Sequence, residues 1–97
     1  MNWETIYRRK VVDAGAAMSC IESGNTIYIG GGAGAPKVLV NTLCERASEL
    51  RDVQLVHILT FIDAPYIDPK YEGSFRDNSL FIGSNVRKAV QEGRADF

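Results

Sequence analysis

The residues best suited to chemistry lie in the run Tyr28-Ile29-Gly30-Gly31-Gly32-Ala33-Gly34-Ala35-Pro36-Lys37. A loop almost without side chains lets backbone N–H groups come close to whatever lies against it. Set between a strand and a helix, it would aim those groups and the positive end of the helix dipole at an anion or a carbonyl oxygen. Gly31, Gly32, Ala33, Gly34 and Pro36 are therefore candidate substrate-binding positions. The same residues also fit a tight strand-to-helix turn that binds nothing, and the glycines do not say which ligand would sit there. A dinucleotide fingerprint is a poor match: Gly30, Gly32 and Ala35 fit G-x-G-x-x-A, but Pro36 follows at once. The next strand also ends in Thr60-Phe61-Ile62 without the acidic residue that holds a ribose. A P-loop is excluded because Lys37 is not followed by the hydroxyl residue of a GK[ST] motif.

Other chemically capable side chains are scattered. Arg87 follows a short apolar segment at the start of a helix, where the carboxyl edge of a parallel sheet would place an anion contact, so it joins the candidate substrate-binding set. His57, the one histidine, alternates within an apolar run and has no carboxylate or nucleophile close in sequence, which favours a structural role over a base. Asp63, Asp68, Glu72 and Asp77 are irregularly spaced in a loop-like stretch and read as a solvated face rather than metal ligands. Cys20 and Cys44 have no CxxC partner and read as reduced, small core residues of an intracellular protein. No catalytic residue, metal site or bound cofactor is assigned.

A chain of 97 residues with 45% hydrophobic and 24% charged content is expected to form one domain with one core. A formal net charge of −1 gives no electrostatic reason to expect nucleic acid or anionic lipid, and Arg8-Arg9-Lys10 is too short a basic run to change that. The amino terminus lacks a signal-peptide pattern and no apolar run nears the ~20 residues of a membrane span, so a cytoplasmic location is expected.

The elements that must hold these residues follow from periodicity. Trp3, Ile6 and Tyr7 predict a helix from Trp3 to Arg9 whose apolar stripe covers some larger body. Asp13 caps a helix over Ala14 to Ile21, ended by Gly24 in a left-handed conformation. Thr26 to Ile29 is a strand, and Pro36 opens a helix to about Leu50 with Leu39, Leu43, Ala47 and Leu50 on one face. Val53 to Thr60 reads as a strand buried on both faces of a parallel sheet. The stretch from Phe61 to Asn78 is an irregular loop, Leu80-Phe81-Ile82 a third strand, and Asn85 to Glu92 a helix with Val86 and Val90 inward. Ala95-Asp96-Phe97 begins a further strand. The fold class is therefore α/β, a mostly parallel sheet with flanking helices built from βαβ units.

Taken in order, these features resemble the amino-terminal segment of the acetyl-CoA hydrolase/transferase family, which includes 4-hydroxybutyrate and other acyl-CoA:carboxylate CoA-transferases. The resemblance rests on Trp3 with Tyr7 and Lys10, Ile21-Glu22-Ser23-Gly24, the strand and loop Tyr28 to Pro36, and Leu50-Arg51-Asp52-Val53 leading into Leu55-Val56-His57. It continues through Tyr66, Pro69 and Phe75-Arg76, then Phe81-Ile82-Gly83, Asn85-Val86-Arg87 and Glu92 to Phe97. It implies the first part of a CoA-transferase-like fold, with acyl-CoA and a small carboxylate as substrates. It also implies a homodimer in the parent enzyme, which an isolated piece need not keep. In the family, a glutamate in the second of two related halves attacks the acyl-CoA, forming an acyl-glutamyl anhydride and then a glutamyl-CoA thioester. That part of the family's pattern lies beyond these 97 residues, so the chain is expected to be an amino-terminal fragment, inactive alone. Two other classes fit the residues: a stand-alone module that binds CoA or a small anion through the glycine loop and Arg87, and a structural module that self-associates.

Overall fold

The computed structural model describes residues 2–97. Helix α1 (Trp3–Lys10) is capped by the Asn2 side chain, which accepts from the backbone N–H groups of Glu4 and Thr5. Its apolar stripe forms as expected but covers nothing: no residue of α1 is buried, and Trp3 and Tyr7 stay exposed. Asp13 caps α2 (Ala14–Met18) by accepting from Ala16 N–H at 2.7 Å. This helix stops three residues before the predicted Ile21. Arg46 from the following helix takes the carbonyls of Met18 and Ile21, so the chain turns where those oxygens find a cationic donor. Gly24 does adopt φ +84°, in a turn after the helix rather than as its immediate cap.

Strands β1 (Thr26–Tyr28), β2 (Val53–His57) and β3 (Phe75–Ser79) form a parallel sheet in the order β1-β2-β3. Between β1 and β2, α3 (Lys37–Glu45) passes into a 3-10 turn at Ala47–Glu49, so the helix expected to reach Leu50 tightens near its end. Val40, Leu43, Cys44, Ala47 and Leu50 are buried against Ile29, Val53, Leu55 and Phe75, making one core on one side of the sheet. The predicted stripe of Leu43, Ala47 and Leu50 is inward; Leu39 is only half-buried. Strand β2 is not buried on both faces as expected. Val53, Leu55 and His57 are buried, while Gln54 and Val56 on the other face are partly open.

The third strand is the main correction. It spans Phe75–Ser79, inside the stretch expected to be loop, and Leu80-Phe81-Ile82 forms no strand. The sequence Arg76-Asp77-Asn78 has low intrinsic strand preference, and the tertiary partners of these side chains overrule it. Leu80 N–H still bonds the His57 carbonyl at 2.8 Å, after which the backbone leaves the sheet. The remainder of the predicted loop is ordered by two 3-10 turns, Pro65–Ile67 and Pro69–Tyr71. The last helix, α4 (Arg87–Gln91), is shorter than expected because Ser84 to Val86 form a turn; Val86 and Ala89 are buried and Val90 half-buried. Asp96 bridges Asn78 in parallel register, the expected start of a further strand.

Candidate functional site

The loops after β1, β2 and β3 meet at the carboxyl edge of the sheet, where parallel sheets hold ligands. The glycine loop does not hang free there. Gly32 N–H donates to the Leu59 carbonyl, and Phe61 N–H donates to the Gly32 carbonyl at 3.2 Å, so the middle of the loop continues the sheet pairing. Gly34 N–H turns back to the Gly31 carbonyl at 3.2 Å. The N–H groups of Gly31 and Ala33 make no hydrogen bond among the described residues, and both residues are exposed. The N–H groups of Gly30 and Ala35 also lack a partner among the described residues, but those residues are half-buried, so Gly31 and Ala33 are the exposed positions with unpaired N–H groups. Gly32 needs its φ of +59°, and a Cβ on Gly31 would come within 3.2 Å of the Leu59 carbonyl oxygen. Pro36 sits at the cap position of α3, its carbonyl accepting from Val40 N–H at 2.9 Å.

Asn85 ties the other loops to this one. Its Nδ2 donates to the carbonyls of Thr60 and Ile62 at 3.2 and 2.8 Å and to Thr60 Oγ1 at 3.0 Å. Two backbone carbonyls accept only, so the amide must present nitrogen to them. Its Oδ1 is left buried without a donor among the described residues. Gly83 makes room for that carboxamide, since a Cβ there would lie 2.9 Å from Asn85 Oδ1 and 2.8 Å from Leu59 Cδ1. The clamp passes from Asn85 through Thr60 to the Gly32 bridge. Sequence reasoning missed both residues; Gly83-Ser84-Asn85 after an apolar triplet was the available signal. Arg87 opens α4, exposed and without an ion pair among the described residues, and no hydrogen bond joins it to the glycine loop.

Beneath this edge, β2 and β3 bring together a buried polar group. His57 Nε2 lies 2.6 Å from Asp77 Oδ1, Ser79 Oγ donates to Asp77 Oδ2 at 2.7 Å, and Ser79 Oγ is 3.3 Å from the same His57 nitrogen. All three residues are buried. Asp77 is buried rather than part of a solvated face, because the pairing of β3 with β2 places it against His57, 20 residues away. The arrangement is not a hydrolytic triad. Both Ser79 and Asp77 face Nε2, and the serine hydroxyl proton goes to the carboxylate instead of to a base. The group holds β2 and β3 in register from inside the core. His57 Nδ1 and the Tyr66 hydroxyl are each buried without a partner among the described residues, and the two ring centroids lie 6.3 Å apart. Burial, reinforced by the Asp77 charge, pushes the Tyr66 phenol far above its ordinary range.

Cys44 belongs to the core and burial raises its thiol to about 11, whereas Cys20 is exposed, contrary to the expectation that both are core residues. A cavity of about 230 Å³ lies against β3, lined by Asp52, Tyr66, Asp68, Phe75, Arg76 and Arg94 among others, and includes no residue of the glycine loop. Among the described residues no cluster of His, Cys, Asp or Glu is arranged to hold a metal ion, and no helix is long and apolar enough to cross a membrane.

Comparison with known proteins sets this edge in context. The family described as acetyl-CoA hydrolase/transferase N-terminal domain matches residues 1–97. The chain belongs to the acetyl-CoA hydrolase/transferase family. It is 35% identical over all 97 residues to the 4-hydroxybutyrate coenzyme A transferase of Clostridium kluyveri, covering 23% of that protein. It is 44% identical over 79 residues to the succinyl-CoA:acetate/propanoyl-CoA:succinate CoA transferase of Fasciola hepatica, covering 79% of this chain and 16% of that protein. The chain thus spans less than a quarter of the length of these relatives. In structure it is similar to RipA from Yersinia pestis, with a TM-score of 0.81 at 20% identity, over 99% of this chain and 24% of that one. That likeness is one of fold: a three-stranded parallel sheet with flanking helices, as in the first part of a CoA-transferase-like protein.

Proposed function

We propose that this domain forms one wall of the active site of an acyl-CoA:carboxylate CoA-transferase or acetyl-CoA hydrolase. In this reading the exposed face of the loop Gly31, Gly32, Ala33, Gly34 and Pro36 looks onto the acyl group or carboxylate, and Arg87, at the start of α4, supplies an anion contact. The observation that carries the reading is the unpaired N–H groups of the exposed residues Gly31 and Ala33, on a sheet-anchored loop at the carboxyl edge of a domain of this family. Donors held at fixed positions suit an oxyanion or carboxylate because they need no reorganisation when charge appears.

The relatives from Clostridium and Fasciola are named as CoA transferases, which supports acyl-CoA and a small carboxylate as substrates, with coenzyme A leaving and returning as thiol. The nucleophilic glutamate of the family lies outside residues 1–97, so the chain alone carries the wall without the nucleophile. A cytoplasmic setting accords with such substrates. The test is a transfer assay on the purified 97-residue chain with acetyl-CoA and a carboxylate acceptor. No turnover above buffer is expected, and robust transfer overturns the assignment of the nucleophile to another part. Titration with acetyl-CoA and acetate, followed by amide shifts, separates a self-sufficient binding module from half a site. Saturable micromolar binding at Gly31 to Gly34 favours the former.

A further inference from the structure

The sheet has one covered face and one open one. On the covered face Ile27, Ile29, Val53, Leu55, His57, Phe75, Asp77 and Ser79 are buried or half-buried, and the core residues of α3 lie against it. On the other face, in register across the strands, stand Thr26, Gln54 and Arg76, then Tyr28, Val56 and Asn78. The alternation continues past the strand ends to Ile58 and Leu80. Tyr28 is 60% exposed, Ile58 50% and Leu80 59%. Asn78 apart, the open face is therefore apolar toward the carboxyl edge and polar toward the other end, where Arg76 pairs with Asp96. Helices α2 and α3 pack together, and Val86, just before α4, joins the same core, so none of these three elements covers the open face.

A parallel sheet with one bare apolar face is incomplete, since such sheets are covered by helices on both sides. Three strands about 4.8 Å apart span about 10 Å, the width of one helix with its side chains. More than three quarters of the Clostridium relative lies outside the region this chain matches. We infer that the face made by Tyr28, Val56, Ile58 and Leu80 is the docking site for an amphipathic helix from the polypeptide that the longer family members carry beyond this domain. Its apolar stripe, at i, i+3, i+4 and i+7 spacing, lies across Tyr28, Val56, Ile58 and Leu80, and its polar end faces Gln54 and Arg76. The inference rests on family membership and on the open face, not on the substrate assigned to the glycine loop.

The experiment uses thiol labelling by a maleimide. Ile58→Cys is made in a Cys20→Ser background, where the remaining Cys44 is buried, both in the 97-residue chain and in a chimera that replaces the aligned residues of the Clostridium protein with this chain. Leu80→Cys is a second probe on the same face, to be used if Ile58→Cys does not fold. Labelling should be fast in the isolated chain at all concentrations and at least tenfold slower in the folded chimera. Equal rates in the two proteins overturn the inference. Protection in the isolated chain that grows with its concentration overturns it as well, by making a second copy the occupant. Neither labelling rate depends on catalysis, so a failure here leaves the proposed role of the glycine loop to be judged by its own assay.

Discussion

Single residues carry the most in the pair His57 and Asp77. Asp77 bonds both the His57 ring and the Ser79 hydroxyl inside the core, so Asp77→Ala leaves buried polar groups unsatisfied and should lower stability by about 1–3 kcal/mol for each orphaned group in urea unfolding. Arg76→Ala, which breaks an exposed pair with Asp96, should cost about 0–1 kcal/mol. Equal effects would mean that Asp77 is not the buried hub of the sheet. The Arg76 guanidinium holds the Asp96 carboxyl below its usual range, so that small contribution is present above the ordinary carboxylate pKa and fades as pH falls through the lowered one. Cys44 has the opposite sign. Its thiol is raised from 9.0 to about 11, so the folded state is favoured up to pH 9 and loses that contribution as pH climbs toward 11. At pH 8 iodoacetamide should modify Cys20 in the native chain and spare Cys44, which mass spectrometry reads directly. His57 was legible in the sequence as structural, but its partner was not. Asp77 sits among loop-like polar residues, and only the pairing of β3 with β2 removes it from water.

Among the elements, β1, β2 and α3 could be read from their own residues because each carries its burial pattern locally: β-branched Thr26 and Ile27, the apolar run from Val53, and Leu43 with Leu50 at helical spacing. Strand β3 could not, because its inward side chains are Phe75, Asp77 and Ser79, two of them polar and satisfied only across the sheet. The apolar triplet Leu80-Phe81-Ile82 looked more like a strand than the strand itself, and Leu80 and Phe81 are exposed. The clamp between elements makes its own prediction. Gly83→Ala pushes a methyl into Leu59 and Asn85, at a cost of about 1–3 kcal/mol. Asn85→Ala should keep the sheet but release the Thr60 to Ile62 segment. Amide exchange at Gly32 and Phe61 would then quicken at least tenfold while Leu55 stays protected. Unchanged exchange at Gly32 would show that the bridge to Thr60 holds the loop without help from Asn85.

At the scale of the whole molecule, the chain places every packed helix on one side of a three-stranded parallel sheet and leaves α1 without a buried residue. Extents of 52 × 28 × 18 Å describe a flat, elongated body rather than a closed one. This shape fits a domain that matches less than a quarter of its relatives' length and presents two unpartnered surfaces, the open sheet face and the carboxyl edge. The place of the glycine loop between β1 and α3 was legible in the sequence. The loop's inner pairing with Leu59 and Phe61 was not, since that depends on where the chain goes after β2. We propose that the exposed side of this loop faces an anionic substrate in a site completed by other polypeptide. The most direct test is kcat/KM for CoA transfer by the chimera with the Clostridium protein, with and without Ala33→Glu, a change at an exposed loop position. The chimera should be active, and Ala33→Glu should lower its kcat/KM at least tenfold with an unchanged Tm; full activity in the Ala33→Glu chimera would mean that the loop does not face the substrate.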